Sequence, residues 1–246
     1  MGYKNRDVEV VFLKEGLCLV AACDSCGAIG SKELDAVSVP ADVTGRFTAR
    51  VALLEVIASG AIPQMITVAI SNEPDPTGIQ ILSGVRAELL SAGLKRLKMV
   101  TSTEKNIPTK QTGLGISVFG SCDFDDLRLG KTEPGDFIYG LGKPKVGPEV
   151  DDPEDREIIQ VKHLAVLLKK KPIHDLIPVG SRGIRYECEL LQQTVRGRVE
   201  FAPGCPVPIT KSAGPSTVLL FSAKDKIQEL GPDMPPLYLI GQIFSL

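Results

Sequence analysis

Asp24, Gly27, Gly30 and Lys32 fall within nine residues, in the run Asp24-Ser-Cys-Gly-Ala-Ile-Gly-Ser-Lys32. A carboxylate at the end of an apolar strand, then two glycines and a lysine, suits a metal ion with a phosphate. Glycine lets backbone N–H groups come close to an anion, and lysine adds a point charge. The spacing is not that of the Walker A loop, GxxxxGK[ST]. Taken alone, a tight polar turn with an exposed lysine is the simpler account. Further acids stand at Asp42, Glu55 and Glu104. Glu55 lies inside an apolar helical run, Ala52-Leu-Leu-Glu-Val-Ile-Ala58, where a carboxylate needs a cation, a partner or water. Mg²⁺ fits such a set, since it takes oxygen from one or two carboxylates and from phosphates. A solvated helix acid fits the same pattern. The stretch from Thr101 to Thr112 is mostly Thr, Ser, Lys, Asn and Gln, and reads either as a ligand-contacting loop or as plain surface.

Other reactive pairs carry less. Cys23 and Cys26 have the CxxC spacing, but no second such pair exists, and His163 and His174 do not complete a zinc set. His174 and Asp175 are adjacent, which favours packing over a catalytic dyad. No GxSxG motif supports a serine hydrolase.

The elements that must position these residues follow from the patterning. Residues 8–13 and 17–23 are apolar, β-branched runs split by Lys14-Glu15-Gly16, the pattern of a hairpin, with a Gly- and Asp-rich loop after Cys23. Phe47, Val51, Leu54 and Ala58 share one helical face, closed by Gly60. A strand is expected at 65–70. A second helix follows, with Asp75 as N-cap and Pro76 at its first position. Strands are expected at 97–101, 114–119 and 136–141. Gly142 to Pro153 is dense in Gly, Pro and acid, and marks a boundary between domains at 1–145 and 146–246. The second half is expected to hold a helix capped by Asp152, a helix over 180–193, strands at 207–211, 216–221 and 237–244, and a short helix near 223–230. Strands and helices do not alternate regularly, so the class is α+β.

The chain has 246 residues, 43% hydrophobic and 24% charged, with net charge −2, which fits a soluble globular protein without a nucleic-acid surface. The triplet Lys169 to Lys171 ends a predicted helix, where cations suit the dipole. No apolar run approaches the ~18 residues of a membrane span. The expected location is the cytoplasm, with the six cysteines as free thiols.

In order, these fragments resemble a family that contains aminoimidazole ribonucleotide synthetase, selenophosphate synthetase, thiamine-monophosphate kinase and a hydrogenase maturation factor. The resemblance runs along nearly the whole chain. Asp24, Gly27, Gly30 and Lys32 match its first motif, and Glu55-Val-Ile-Ala-Ser-Gly-Ala-Ile-Pro63 its second, with Gly45-Arg46 ten residues before that acid. Thr103-Glu104-Lys105-Asn106 followed by Thr112-Gly-Leu-Gly115 match its third. Lys131-x-x-Pro134-Gly-Asp136 looks like its turn before a strand, and His174 to Ile184 like its second-half helix entry. Thr103-Glu-Lys-Asn-Ile-Pro-Thr109 and His174-Asp-Leu-Ile-Pro-Val-Gly-Ser-Arg-Gly-Ile184 look most like the α-ribazole kinases.

The resemblance implies a two-domain fold in which residues 1–145 bind ATP and Mg²⁺ and pair with a second copy, closing two half-sheets into a barrel. It implies Asp24, Asp42, Glu55 and Glu104 around the metal, and Asp24, Lys32 and Glu104 in catalysis. Gly27, Gly30, Lys32, Thr103, Lys105, Asn106 and Thr112 would contact nucleotide. The implied reaction is phosphorylation of the 5′-hydroxyl of α-ribazole by ATP, a step in cobalamin lower-ligand salvage. The alternatives are another small-molecule kinase, such as one for thiamine monophosphate, and an inactive nucleotide-binding module. Two departures matter. Glu55 replaces the usual Asp, and Arg182 follows Ser181 where relatives carry an acid that can help hold metal, so metal is expected to rest on the first half.

Overall fold

The amino-terminal hairpin forms as its alternation predicts. In a computed structural model that describes residues 2–169 and 173–246, β1 (Val8–Phe12) pairs antiparallel with β2 (Leu17–Gly27). β2 is longer than expected. It runs through Gly27, so Asp24 stands on a strand rather than in a loop. Val8 pairs with Ala22, and β1 reaches no further. Residues Cys23 to Gly27 therefore extend as a free edge on that side, while their other side stays paired with β7 (Gly113–Asp123). Between them lie the two-residue parallel strands β3 (Ile29–Gly30) and β4 (Val37–Ser38).

Helix α1 (Ala41–Ala58) is followed by β5 (Ile62–Ile70), α2 (Ile79–Ser91) and β6 (Lys98–Thr103). The first sheet has the order β1-β2-β7-β5-β6, with β5 and β6 parallel. Asp75 does not cap α2. It is extended, and Pro74–Gly78 make one wide turn before the helix begins at Ile79. The two helices cross where neither has a side chain in the way. A Cβ on Gly45 would stand 2.2 Å from the Ile81 carbonyl oxygen, and one on Gly84 1.9 Å from that of Asp42. Arg50 locks the crossing from inside. Its Nε and Nη2 donate to the two Glu88 oxygens at 2.8 and 2.9 Å, and Nη2 also donates to the Pro153 carbonyl at 2.8 Å.

The second sheet has the order β10-β12-β8-β11-β9, all antiparallel, with β8 at Phe137–Leu141, β9 at Ile173–Pro178, β10 at Gly197–Phe201, β11 at Leu219–Ala223 and β12 at Leu237–Ser245. The change of sheet falls between β7 and β8, before the Gly142–Pro153 segment, so the strand expected at 136–141 belongs with the second half. Helix α3 starts at Val161, not at Pro153, and ends at Leu167. Asp152 and Asp155 instead close turns, accepting from the Glu154 and Glu157 amides at 2.8 Å each. Lys170 and Lys171 lie outside the described residues. Helix α4 (Gly183–Val195) matches expectation. The strand expected at 207–211 and the helix near 223–230 are irregular instead, while β9 and β10 form where none was foreseen.

One side of the second sheet packs on α4 through Ile138, Ile184, Cys188, Leu220 and Ile240. The other contributes Leu141, Leu176 and Phe221 to the core that holds α1 and the first sheet. Helix α1 is therefore enclosed between the two sheets, and thirteen of its eighteen residues are buried.

Candidate functional site

Alternation along β2 puts Asp24 on the same face as buried Cys18, Val20 and Ala22, the face that packs on α1. On α1, Thr44, Thr48, Val51 and Glu55 recur at helical spacing and form one stripe. The free edge of β2, this stripe, and the second-half segments at Val146–Val150, Gly180–Ser181 and Gly214–Ser216 enclose a cleft of about 1160 Å³. One end is apolar, walled by Ile29, Val37, Val39, Val43, Phe47 and Val150. The other end is acidic. Asp7, Glu9, Asp24 and Glu55 line the cleft, and among the described residues no Lys or Arg does.

The carboxylates respond to burial and to one another. Glu55 is 7% exposed, and its Oε2 has no hydrogen-bond partner. Burial pushes its pKa up to about 8; nearby Arg6 pulls down, while Asp7, Glu187 and Asp24 push further up. Burial raises Asp24 to about 6, with Asp7 adding to the rise and the Ser25 amide opposing it. A polar side chamber of about 330 Å³ opens off the cleft beyond Glu55, lined by Asn5, Arg6, Asp7, Gly180, Ser181, Arg182, Tyr186 and Glu187 among others. Burial raises Glu187 to about 7, Arg6 opposing and Asp7 reinforcing.

The structure brings Asp24, Glu55 and Gly27 to the cleft; the other expected site residues lie elsewhere. Asp42 is exposed at the start of α1, outside the cleft. Glu104 closes its own turn, accepting from the Asn106 and Ile107 amides at 2.6 and 3.2 Å, which holds its carboxyl below the usual range. Lys32 is bound to Glu73 at 2.8 Å. Although burial works against it, hydrogen bonds from Lys32 and Thr77 hold Glu73 down to about 2. Gly30 serves packing, since a Cβ there would stand 2.3 Å from Thr112 Oγ1. Thr112 itself is buried and gives both its amide and its hydroxyl to Asp35 at 2.7 Å. Lys105 and Asn106 are exposed, and the Thr103 methyl packs towards Gly78. Among the described residues no three His, Cys, Asp or Glu side chains converge tightly enough to hold an ion by themselves.

Cys23 and Cys26 stand on opposite faces of β2, with Cys23 exposed and the Cys26 thiol pushed up to about 11 by burial. Asp175 anchors structure, accepting from the Gly130 and Thr132 amides at 2.8 and 2.7 Å, and His174 Nδ1 lies 2.7 Å from Asp136.

Asp7 and Glu187 escaped the sequence reading. Glu187 had a signal, because it sits on the apolar stripe of α4 between Ile184, Cys188 and Leu191, as Glu55 does on α1. Asp7 had none beyond its place before β1.

No protein-family model and no curated protein sequence matches the chain. Solved structures do. AaThiL, complexed with AMPPCP and TMP, matches with a TM-score of 0.66 at 12% identity over 98% of this chain and 85% of that one. HypE from E. coli, a hydrogenase maturation protein, matches with a TM-score of 0.69 at 13% identity, over 92% and 80% of the two chains. The chain has the aminoimidazole-ribonucleotide-synthetase-like fold. Thiamine-monophosphate kinase from Stenotrophomonas maltophilia carries this fold too, with a TM-score of 0.64 at 15% identity over 95% and 84% of the chains. In this chain the aminoimidazole-ribonucleotide-synthetase-like architecture puts the cleft between its two sheets. No helix among the described residues is long and apolar enough to cross a membrane.

Proposed function

We propose that the protein is an ATP-dependent phosphotransferase with a small-molecule alcohol as acceptor, and that the acceptor is the 5′-hydroxyl of α-ribazole. The observation that carries this is the acidic end of the cleft, with Glu55 buried and one of its oxygens unpartnered. A buried carboxylate oxygen without a donor is costly, and a cation removes the cost. The donor set is all oxygen, which suits Mg²⁺. Since no three side chains converge, Glu55 and Asp24 would hold the ion, with water and phosphate oxygens completing its shell. The ion would neutralise charge on the phosphates, the main demand of phosphoryl transfer besides positioning. A solved structure of the same fold holds AMPPCP, an ATP analogue, which supports ATP as the donor.

The chain's own residues would do the rest. The apolar end suits a flat base, held by Val37, Val39, Val43 and Phe47, and shields the reacting end from water. Glu104 is committed to its turn, so of the two carboxylates expected in catalysis Asp24 is the one at the cleft, placed to take the hydroxyl proton. The face of the first sheet turned away from α1 carries Val11 and Leu17, 51% and 39% exposed, which supports pairing with a second copy.

Incubation with ATP, Mg²⁺ and α-ribazole, followed by mass spectrometry, should yield ADP and α-ribazole 5′-phosphate. A phosphorylated product from thiamine monophosphate alone would replace the acceptor. ATP binding without turnover on any acceptor would leave a nucleotide-binding module.

A further inference from the structure

We propose that Arg182, at the start of α4, is the side chain that meets the outer phosphates of the nucleotide, and that the side chamber receives them. This rests on the phosphotransferase reading above. The argument begins with charge. A nucleoside triphosphate carries about four negative charges, and the described cleft lining answers with four carboxylates and no Lys or Arg. One divalent ion leaves much of that charge uncompensated. Lys32, the lysine of the glycine-rich run, is tied to Glu73 away from the cleft.

The chamber is continuous with the cleft, since Asp7, Glu55, Gly180 and Ser181 line both. Among its described lining residues the cations are Arg6 and Arg182. Arg6 is 6% exposed, donates to the Leu176 carbonyl and lies 3.9 Å from Asp175, so it is structural. Arg182 is exposed, and its guanidinium lies 4.5 Å from the centre of the Tyr186 ring. That stacking orients a planar fork of donors without consuming them. Glu187 on the same helix attracts Arg182 but makes no ion pair with it. The thirteen-residue α4 begins next to Arg182, so its positive end adds to the same potential. Cations on one side and the acids of Asp7 and Glu55 on the other are what a metal-bound phosphate requires.

The test is equilibrium titration of the wild-type protein, Arg182→Ala and Arg182→Lys with ATP and with AMP, each with Mg²⁺, alongside melting temperatures. In Arg182→Ala, ATP affinity should fall about tenfold, the loss of one charge-assisted contact, while AMP affinity and melting temperature hold. Lysine should restore part of the loss, since it keeps the charge but not the fork. Equal ATP affinity in wild type and Arg182→Ala overturns this proposal alone. Parallel losses for ATP and AMP with a lower melting temperature also overturn it, by making Arg182 a structural residue. Failure of the wild type to bind either nucleotide overturns it together with the phosphotransferase reading.

Discussion

At the scale of single residues, Glu55 has the most to lose from an empty cleft. Its proton is held more firmly in the folded chain than in the unfolded one. Such a group favours folding fully below its ordinary value of 4.5, and the benefit is lost as pH climbs through the folded value of about 8. Without divalent ions the protein should therefore lose stability as pH rises across that window. Mg²⁺ should return it, so the rise in melting temperature on adding Mg²⁺ should grow with pH. Glu55→Gln should flatten both trends and stabilise the metal-free protein at pH 8 by a few kcal/mol, on the order of magnitude such shifts imply. Calorimetric melts at several pH values, with and without Mg²⁺, decide it. Asp24→Asn has a different signature. It should lower turnover by about a hundredfold or more while leaving the fold intact, because Asp24 sits at the cleft wall rather than in the core. Undiminished product formation by this variant would remove Asp24 from the chemistry. That Asp24 and Glu55 reach a cleft could be anticipated from the sequence, one as an acid at the end of an apolar strand, the other as an acid inside an apolar helix. That Asp42, Glu104 and Lys32 stand outside it could not, because charge and spacing alone do not reveal that a carboxylate closes its own turn or that a lysine is already paired.

At the scale of elements, the crossing of α1 and α2 is the point of least tolerance. The Gly84 site has no room for a methyl group, since a Cβ would overlap the Asp42 carbonyl. Gly84→Ala should destabilise by about 1–3 kcal/mol, the usual cost of overpacking, even though alanine is the better helix former. Denaturant unfolding would measure it, and a neutral or stabilising result would mean the helices slide apart at little cost. The first half was readable because its strands alternate and its helices end in glycine. The second half was less so for physical reasons. β9 is buried along most of its length, which erases alternation, and β10 is only five residues long. Pro203, Pro206, Pro208 and Pro215 deprive the stretch before β11 of backbone donors, so apolar residues there do not build a ladder. Helix α1 misled in a smaller way. Being surrounded, it has no single apolar stripe, and the face read from Phe47, Val51, Leu54 and Ala58 is one of several.

At the scale of the whole molecule, the face of the first sheet turned away from α1 leaves Val11 and Leu17 exposed among the described residues. If a second copy covers it, Val11→Lys together with Leu17→Lys should convert a dimer into a monomer in sedimentation experiments while leaving the monomer folded. An unchanged dimer would place the contact on another surface. The sequence conveyed an α+β architecture with two cores, but the strand that begins the second core, β8, was read as the last of the first. Its apolar run looks the same in either sheet, and only the partners it finds decide.

The position of α1 has a practical corollary. The helix is at once the spine against which both sheets are built and the wall that carries Thr44, Thr48, Val51 and Glu55 into the cleft. Changes along it that reshape the binding space also disturb the scaffold, so this wall has little freedom to drift. The turns at 146–149 and 214–215 carry no such double duty. Laboratory evolution towards new acceptors should therefore accumulate its successful substitutions in those two turns and leave the helix nearly untouched.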